Sequence, residues 1–254
     1  MKKLSLFLFL LLTIVKISAC SCMDQTLSQG YQNSDVIGVI KILKVYGQDK
    51  ERRMYKADIE FETIYKGKAF KTIMVNGRIG KPNSAACEID VKPKERYLIY
   101  LDKSGNDYFV SYCTSKSKLS NNAADDDKSF FEDLDKTFSY IEANKSKFNG
   151  LKFADSYIID PPGYRSSFYK ISDFNPKQPF AIYKIKVNKS SEIQEATPII
   201  GFGSEDERIG DILKTTFKAS IYENLESETK EFLLFLCYDK ESTEGPETGV
   251  LYSN

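Results

Sequence analysis

The chain has no histidine among its 254 residues. That absence removes Ser-His-Asp and Cys-His triads, His-ligated zinc and the usual general base at neutral pH. An enzyme is therefore not the expected reading. An excess of one charge is lacking too, since 36 Lys and Arg balance 36 Asp and Glu. Three of those lysines (Lys2, Lys3 and Lys16) lie in the first nineteen residues, which leaves 33 basic against 36 acidic residues in the remainder. A net charge near −3 does not supply the clustered cations that neutralise phosphates, so nucleic acid is excluded as an expected partner. Beyond residue 19 no stretch reaches the roughly 20 apolar residues of a membrane-spanning helix.

What is present begins with Met1 to Ala19. Lys2 and Lys3 precede the apolar run Leu4 to Val15, and the small residues Ser18 and Ala19 follow it. This is the pattern of a cleavable secretory signal, and it predicts an extracytoplasmic protein: secreted, periplasmic or lipid-anchored at the cell surface. Removing nineteen residues from 254 leaves 235, enough for two ordinary domains at about 150 residues per domain.

Of five cysteines, Cys20, Cys22, Cys87 and Cys113 fall in the first half of the mature chain, and Cys237 stands alone near the end. An even local set in an exported protein reads as disulfides. The long separations lack the paired C-x-x-C spacing of an all-thiolate zinc site. Cys237 lies in Glu231 to Tyr238 and reads as a small buried apolar residue in a strand.

Strand patterns follow one another at Asp35 to Val45, Tyr55 to Tyr65, Lys71 to Asn76, Arg96 to Leu101 and Tyr108 to Cys113. Turn residues and charges separate them, as expected of a small sandwich or barrel. In the second strand Tyr55, Ala57, Ile59, Phe61 and Thr63 alternate with Lys56, Asp58, Glu60 and Glu62, so one face is core and the other wet. Ser115 to Asp127 reads as a polar linker. A helix is expected after it, with Phe130, Phe131, Leu134, Phe138 and Ile141 on one face, a Ser129/Glu132 capping box and Gly150 closing the far end. Asp125 to Asp127 suit the helix dipole and lack the alternate spacing of a calcium loop.

Residues 151–254 read as a small α+β domain. Its strands are expected at Tyr157 to Ile159, Phe180 to Val187, Pro198 to Phe202, Glu231 to Tyr238 and Val250 to Tyr252. A helix is expected over Glu205 to Lys218 behind a Ser204/Glu207 capping box. The order of these elements weakly resembles the carboxy-terminal domain of TonB energy transducers, and no ligand constellation stands out in it.

The start Cys20-Ser21-Cys22 resembles the Cys-x-Cys that opens the tissue inhibitors of metalloproteinases. The likeness continues through Asn33-Ser34-Asp35-Val36-Ile37, Tyr65-Lys66-Gly67, Ser84-Ala85-Ala86-Cys87, Tyr97-Leu98-Ile99-Tyr100 and Cys113. It implies an all-β, netrin-like barrel of OB-fold type over residues 20–120, then a linker and amphipathic helix over 121–150 and the α+β domain over 151–254. It also implies disulfides joining Cys20 to Cys87 and Cys22 to Cys113, closing loops of about 68 and 92 residues, each worth roughly 4 to 5 kcal/mol at most in the chain-entropy model.

Two roles for the start remain open. The bonds could be plain staples. In the family, however, the α-amine and carbonyl of the first cysteine chelate the catalytic zinc of a protease in trans, and the next side chain enters its specificity pocket. The resemblance gives those contacts to Cys20 and Ser21, held by Cys22 and flanked by Met23, with no cofactor and no metal of the protein's own. Ile17-Ser18-Ala19-Cys20 also fits a bacterial lipobox, which would acylate Cys20 and tether the chain to a membrane. The alternative function is then a cell-envelope structural or adaptor protein whose partners are other envelope proteins.

Overall fold

The computed structural model describes residues 22, 26–81, 87–120, 128–158, 171, 174–178, 180–221, 225, 227–239 and 250–253, without the side chains of 128–130, 133, 155–158, 239 and 250–253. Strand dominates over helix, and the chain divides into two compact units. The first comprises Met1–Asp24 and Asp35–Asn121, and the second Gln25–Ser34 and Asn122–Asn254. The secretory segment lies outside the described residues.

The first unit is a seven-stranded sheet built on two long strands, β1 (Val36–Asp49) and β2 (Met54–Lys66), joined by a tight hairpin. Asp49 organises that turn by accepting the backbone N–H groups of Glu51 and Arg52. The remaining strands are β3 (Thr72–Asn76), β4 (Arg96–Leu101), β5 (Lys103–Ser104), β6 (Asp107–Val110) and β7 (Lys116–Leu119), in the order β5-β6-β3-β2-β1-β4-β7. The β1–β2 register shifts four times, and each bulge bends the strand and increases its twist. β1 therefore bridges two directions of pairing, with β2 along its length and with β4 over Val36–Lys41.

Gly67 ends β2 with φ +82 in the left-handed region, and a Cβ there would strike the Asp35 carbonyl and Val36. The position thus requires the glycine that the Tyr65-Lys66-Gly67 pattern supplies. The alternation expected in β2 places Tyr55, Ala57 and Ile59 in the core beside Ile40, Ile42, Ile73, Val75, Ile99 and Leu101. It fades beyond the half-buried Phe61, leaving Thr63 exposed. Tyr55 is fully buried. Its hydroxyl donates to the Ile89 carbonyl at 3.2 Å and accepts from Val91 N at 2.8 Å, and burial pushes its pKa up to about 12.

The second unit has an antiparallel sheet in the order β10-β9-β12-β13, formed by Ile193–Ile200, Phe180–Asn188, Thr229–Asp239 and Val250–Ser253. One face carries Ala181, Tyr183, Ile185, Val187, Phe232, Leu234 and Leu236, packed with Ile209 and Leu213 of the helix Asp206–Thr216. On the other face Phe180 stacks on Phe235 and meets Tyr140 of the helix Lys128–Asn144. In chain order the helices are α1 (Leu27–Asn33), α2 (Lys128–Asn144) and α3 (Asp206–Thr216). α1 belongs to this unit: Tyr31 stacks on Phe138 of α2 at 5.6 Å, and the Gln32 Oε1 accepts from Phe153 N at 2.6 Å. Cys237 lies in β12, buried and outside any disulfide, which matches its expected place.

Several expectations change. Part of the linker expected over Ser115 to Asp127 is β7, paired along β4, because an edge strand needs backbone partners more than apolar side chains. Residues 121–127, with Asp125 to Asp127, lie outside the described residues, as do the side chain of Ser129 and the cap expected from it. The helix expected to stand with that linker falls in the second unit. The helix ends at Asn144 and passes into a 3₁₀ turn, Lys145–Lys147, so Gly150, six residues further on at φ +73, ends the loop after that turn and does not cap the helix as expected. The helix expected to reach Lys218 stops at Thr216, and Phe217–Ser220 becomes the strand β11, paired with β8 (Asp155–Ile158). Phe217 and Ala219 alternate into the core there, a period of two replacing the helical one. The strand expected from Pro198 starts five residues earlier, at Ile193.

The Ser204/Glu207 capping box does not form. Glu205 is the N-cap without a side-chain bond, and Asp206, the first helical residue, instead fastens the loop before the helix, accepting from Phe202 N at 2.8 Å and Gly203 N at 3.1 Å. Asp206 also accepts the Tyr183 hydroxyl at 2.6 Å, and burial with that acceptor raises the Tyr183 pKa far above the ordinary phenol value.

Candidate functional site

Cys22 is disulfide-bonded to Cys113, with Cα atoms 5.1 Å apart across 91 residues of chain. Cys113 is exposed and sits between β6 and β7, in the five-residue connection Ser111–Ser115. That connection is a turn: Thr114 N donates to the Ser111 carbonyl at 3.2 Å, and Ser111 N donates back to Thr114 Oγ1 at 2.8 Å. Lys116, the first residue of β7, reaches over it. Its ammonium donates to the carbonyls of Ser111 (2.9 Å), Tyr112 (2.9 Å) and Thr114 (3.1 Å) and lies 5.9 Å from the centroid of the exposed Tyr112 ring. Burial lowers the Lys116 pKa from its ordinary value.

Cys87 stands beside this turn. Its carbonyl accepts from Tyr112 N at 3.1 Å, one residue before Cys113, and from the Asn76 Nδ2 at 3.3 Å. Asn76 in turn accepts Ile89 N through its own carbonyl, so β3 holds the Cys87 segment on both sides. Cys87 has φ +68 and is itself disulfide-bonded. The next residue, Glu88, is buried and ion-paired with Arg53 of the β1–β2 hairpin and with Arg78, the latter at 3.9 Å. Three of the four clustered cysteines of the sequence are therefore brought to one end of the first unit.

The chain matches no protein-family model and no curated protein. Of the residues expected to form the zinc-blocking start, only Cys22 is described; Cys20, Ser21 and Met23 lie outside the described residues. Among the described residues no group of three His, Cys, Asp or Glu side chains could hold a metal ion, and no helix is long and apolar enough to cross a membrane. A disulfide fits an oxidising compartment.

The sequence reading missed three supports. Lys116 looked like one more charge in a polar linker, and its three carbonyl partners come from backbone geometry that composition does not encode. Asn76 gave no signal beyond ending a strand. Glu88 next to a cysteine could have drawn notice as an acid bordering an apolar run, but Arg53 and Arg78 converge on it only through the fold.

Proposed function

We propose that the mature protein is an exported binder of zinc metalloproteases that blocks the active site with the α-amine and carbonyl of Cys20, in the manner of the tissue inhibitors it resembles. The observation that carries the reading is the Cys22–Cys113 bond, which ties the third residue after the expected cleavage site to a braced turn. A chain start so fixed loses little ordering entropy on docking. An α-amine titrates near 7.7 to 8.0, so a useful neutral fraction offers its lone pair to zinc at about pH 7.

The first unit is, in this reading, a closed barrel of OB type. β6 and β7 are five places apart in the strand order, about 24 Å along a flat sheet at ordinary spacing. Six residue steps span about 21 Å even when fully extended. Val110 and Lys116 are joined by six such steps, some of them spent in a tight turn, so the sheet must curl. β4 and β6, four places apart in that order, come into contact. This supports closure.

The bond at Cys87 bears on the competing lipoprotein reading. Cys87 is disulfide-bonded, and the resemblance pairs it with Cys20. A thioether lipid on Cys20 would leave Cys87 without it. Placing one alanine ahead of Cys20 tests the proposal against a panel of secreted zinc metalloproteases and a fluorogenic peptide. The extension is expected to abolish inhibition, and unchanged potency refutes the mechanism.

A further inference from the structure

We infer that Lys116 is the positioning residue of the amino-terminal anchor: its ammonium clasps the Cys113 turn shut and so fixes the point at which Cys22 is bonded to the first unit. The inference rests on the reading of the chain start as the blocking element. The clasp itself stands on geometry.

A lysine ammonium has three donors and no acceptor. Here all three are spent within a single turn, on the carbonyls of Ser111, Tyr112 and Thr114, the first two before Cys113 and the third just after it. Three carbonyl dipoles aimed at one point repel one another unless a cation sits between them, so the charge of Lys116 is what lets the turn be this tight. The backbone around it is committed on both flanks. Tyr112 N is bound to Cys87 O, and Ser115 O accepts Tyr100 N of β4 at 3.1 Å. Cys113 lies between those fixed points with an exposed side chain, and its sulfur is the point from which Cys22 hangs.

The bracing is directional. Lys116 itself is fixed in β7 opposite Ile99, so the side chain runs from one edge of the sheet back to the segment leaving β6. Without it the Ser111–Thr114 turn keeps one hydrogen bond in each direction and loses the three that come from outside it.

The test uses the mature full chain as wild type, Lys116→Met, Lys116→Arg and Lys116→Gln. Reduction by dithiothreitol is followed by alkylation and mass mapping, so that the bond at Cys22–Cys113 and the bond at Cys87 are timed separately. Lys116→Met is expected to speed reduction of Cys22–Cys113 about tenfold, the scale of losing charge-assisted hydrogen bonds from a partly buried turn. The Cys87 bond should keep its rate, and Lys116→Arg should restore most of the protection. A general loss of stability would speed both bonds together. Equal rates in wild type and variant, or equal acceleration of both bonds, overturn the inference.

Potency against a metalloprotease inhibited by the wild type should fall about tenfold in Lys116→Met in step with the reduction rate. Faster reduction with unchanged potency overturns the positioning role. A wild-type chain that blocks no protease refutes the reading of the site instead, and the reduction rates still decide whether Lys116 clasps the turn. If Lys116→Met does not fold, Lys116→Gln, which keeps two donors without the charge, is read in its place.

Discussion

Removing the Cys22–Cys113 bond is the sharpest perturbation of the site. The double replacement Cys22→Ser/Cys113→Ser leaves no stray thiol from this pair, and it opens a loop whose ends are separated by 91 positions in the sequence. For a loop of about 92 residues the chain-entropy relation gives an upper figure of about 4.6 kcal/mol at 25 °C, and residual structure in the denatured chain brings the expected loss to about 2–4 kcal/mol. Equilibrium unfolding in urea, followed by far-ultraviolet circular dichroism and by tyrosine fluorescence, measures it. The slope on denaturant should rise, because an uncrosslinked denatured chain expands and exposes more surface. A loss below about 1 kcal/mol with an unchanged slope would refute the reasoning, since it would mean that the crosslink does not restrict the unfolded ensemble.

Two further predictions concern the supports of each unit. Tyr55→Phe should cost about 1–3 kcal/mol by leaving the Ile89 carbonyl and the Val91 N–H without their partner, read from the same urea curves. Because the Tyr55 pKa is raised from 10.0 to about 12 in the fold, its contribution is complete below pH 10 and is lost as the pH climbs through about 12. Thermal midpoints of wild type and Tyr55→Phe recorded from pH 9 to 12 should therefore converge at the alkaline end. In the second unit Asp206→Ala removes the acceptor of Phe202 N, Gly203 N and the Tyr183 hydroxyl. A loss of about 2 kcal/mol is expected, and hydrogen exchange should quicken in α3 while the β1–β2 hairpin keeps its protection.

The five strand positions expected in the first half follow from local pattern, and the structure has a strand at each: aromatic and β-branched runs cut by turn residues need no distant partner to be recognised. The same holds for Cys237, whose neighbours Phe235 and Leu236 announce a buried strand. Lys116–Leu119 escaped because a Lys-Ser-Lys-Leu edge strand is held by backbone bonds to Arg96–Ile99, and those do not register in composition. Phe217–Ser220 escaped for a different reason. Ile209, Ile212, Leu213 and Phe217 continue one helical stripe, and only the pairing with Asp155–Ile158 converts its end to strand. Of the site, the cysteines and the Cys22–Cys113 pairing implied by the resemblance were legible. The turn they meet at, the Lys116 carbonyl cage and the Arg53–Glu88–Arg78 cluster were not, since each joins residues through chain folding rather than through spacing.

The assignment of residues 25–34 has a practical consequence for anyone cutting this protein in two. A fragment beginning at residue 122 would lack α1, and with it the Tyr31 ring that lies on Phe138 and the Gln32 amide that receives Phe153. On a ribosome the order is reversed: the helix emerges early and waits unpartnered while the whole seven-stranded sheet is made. Folding of the second unit is thus a late event that reaches back to the beginning of the message, and a split-gene version would have to supply that short helix from the other half.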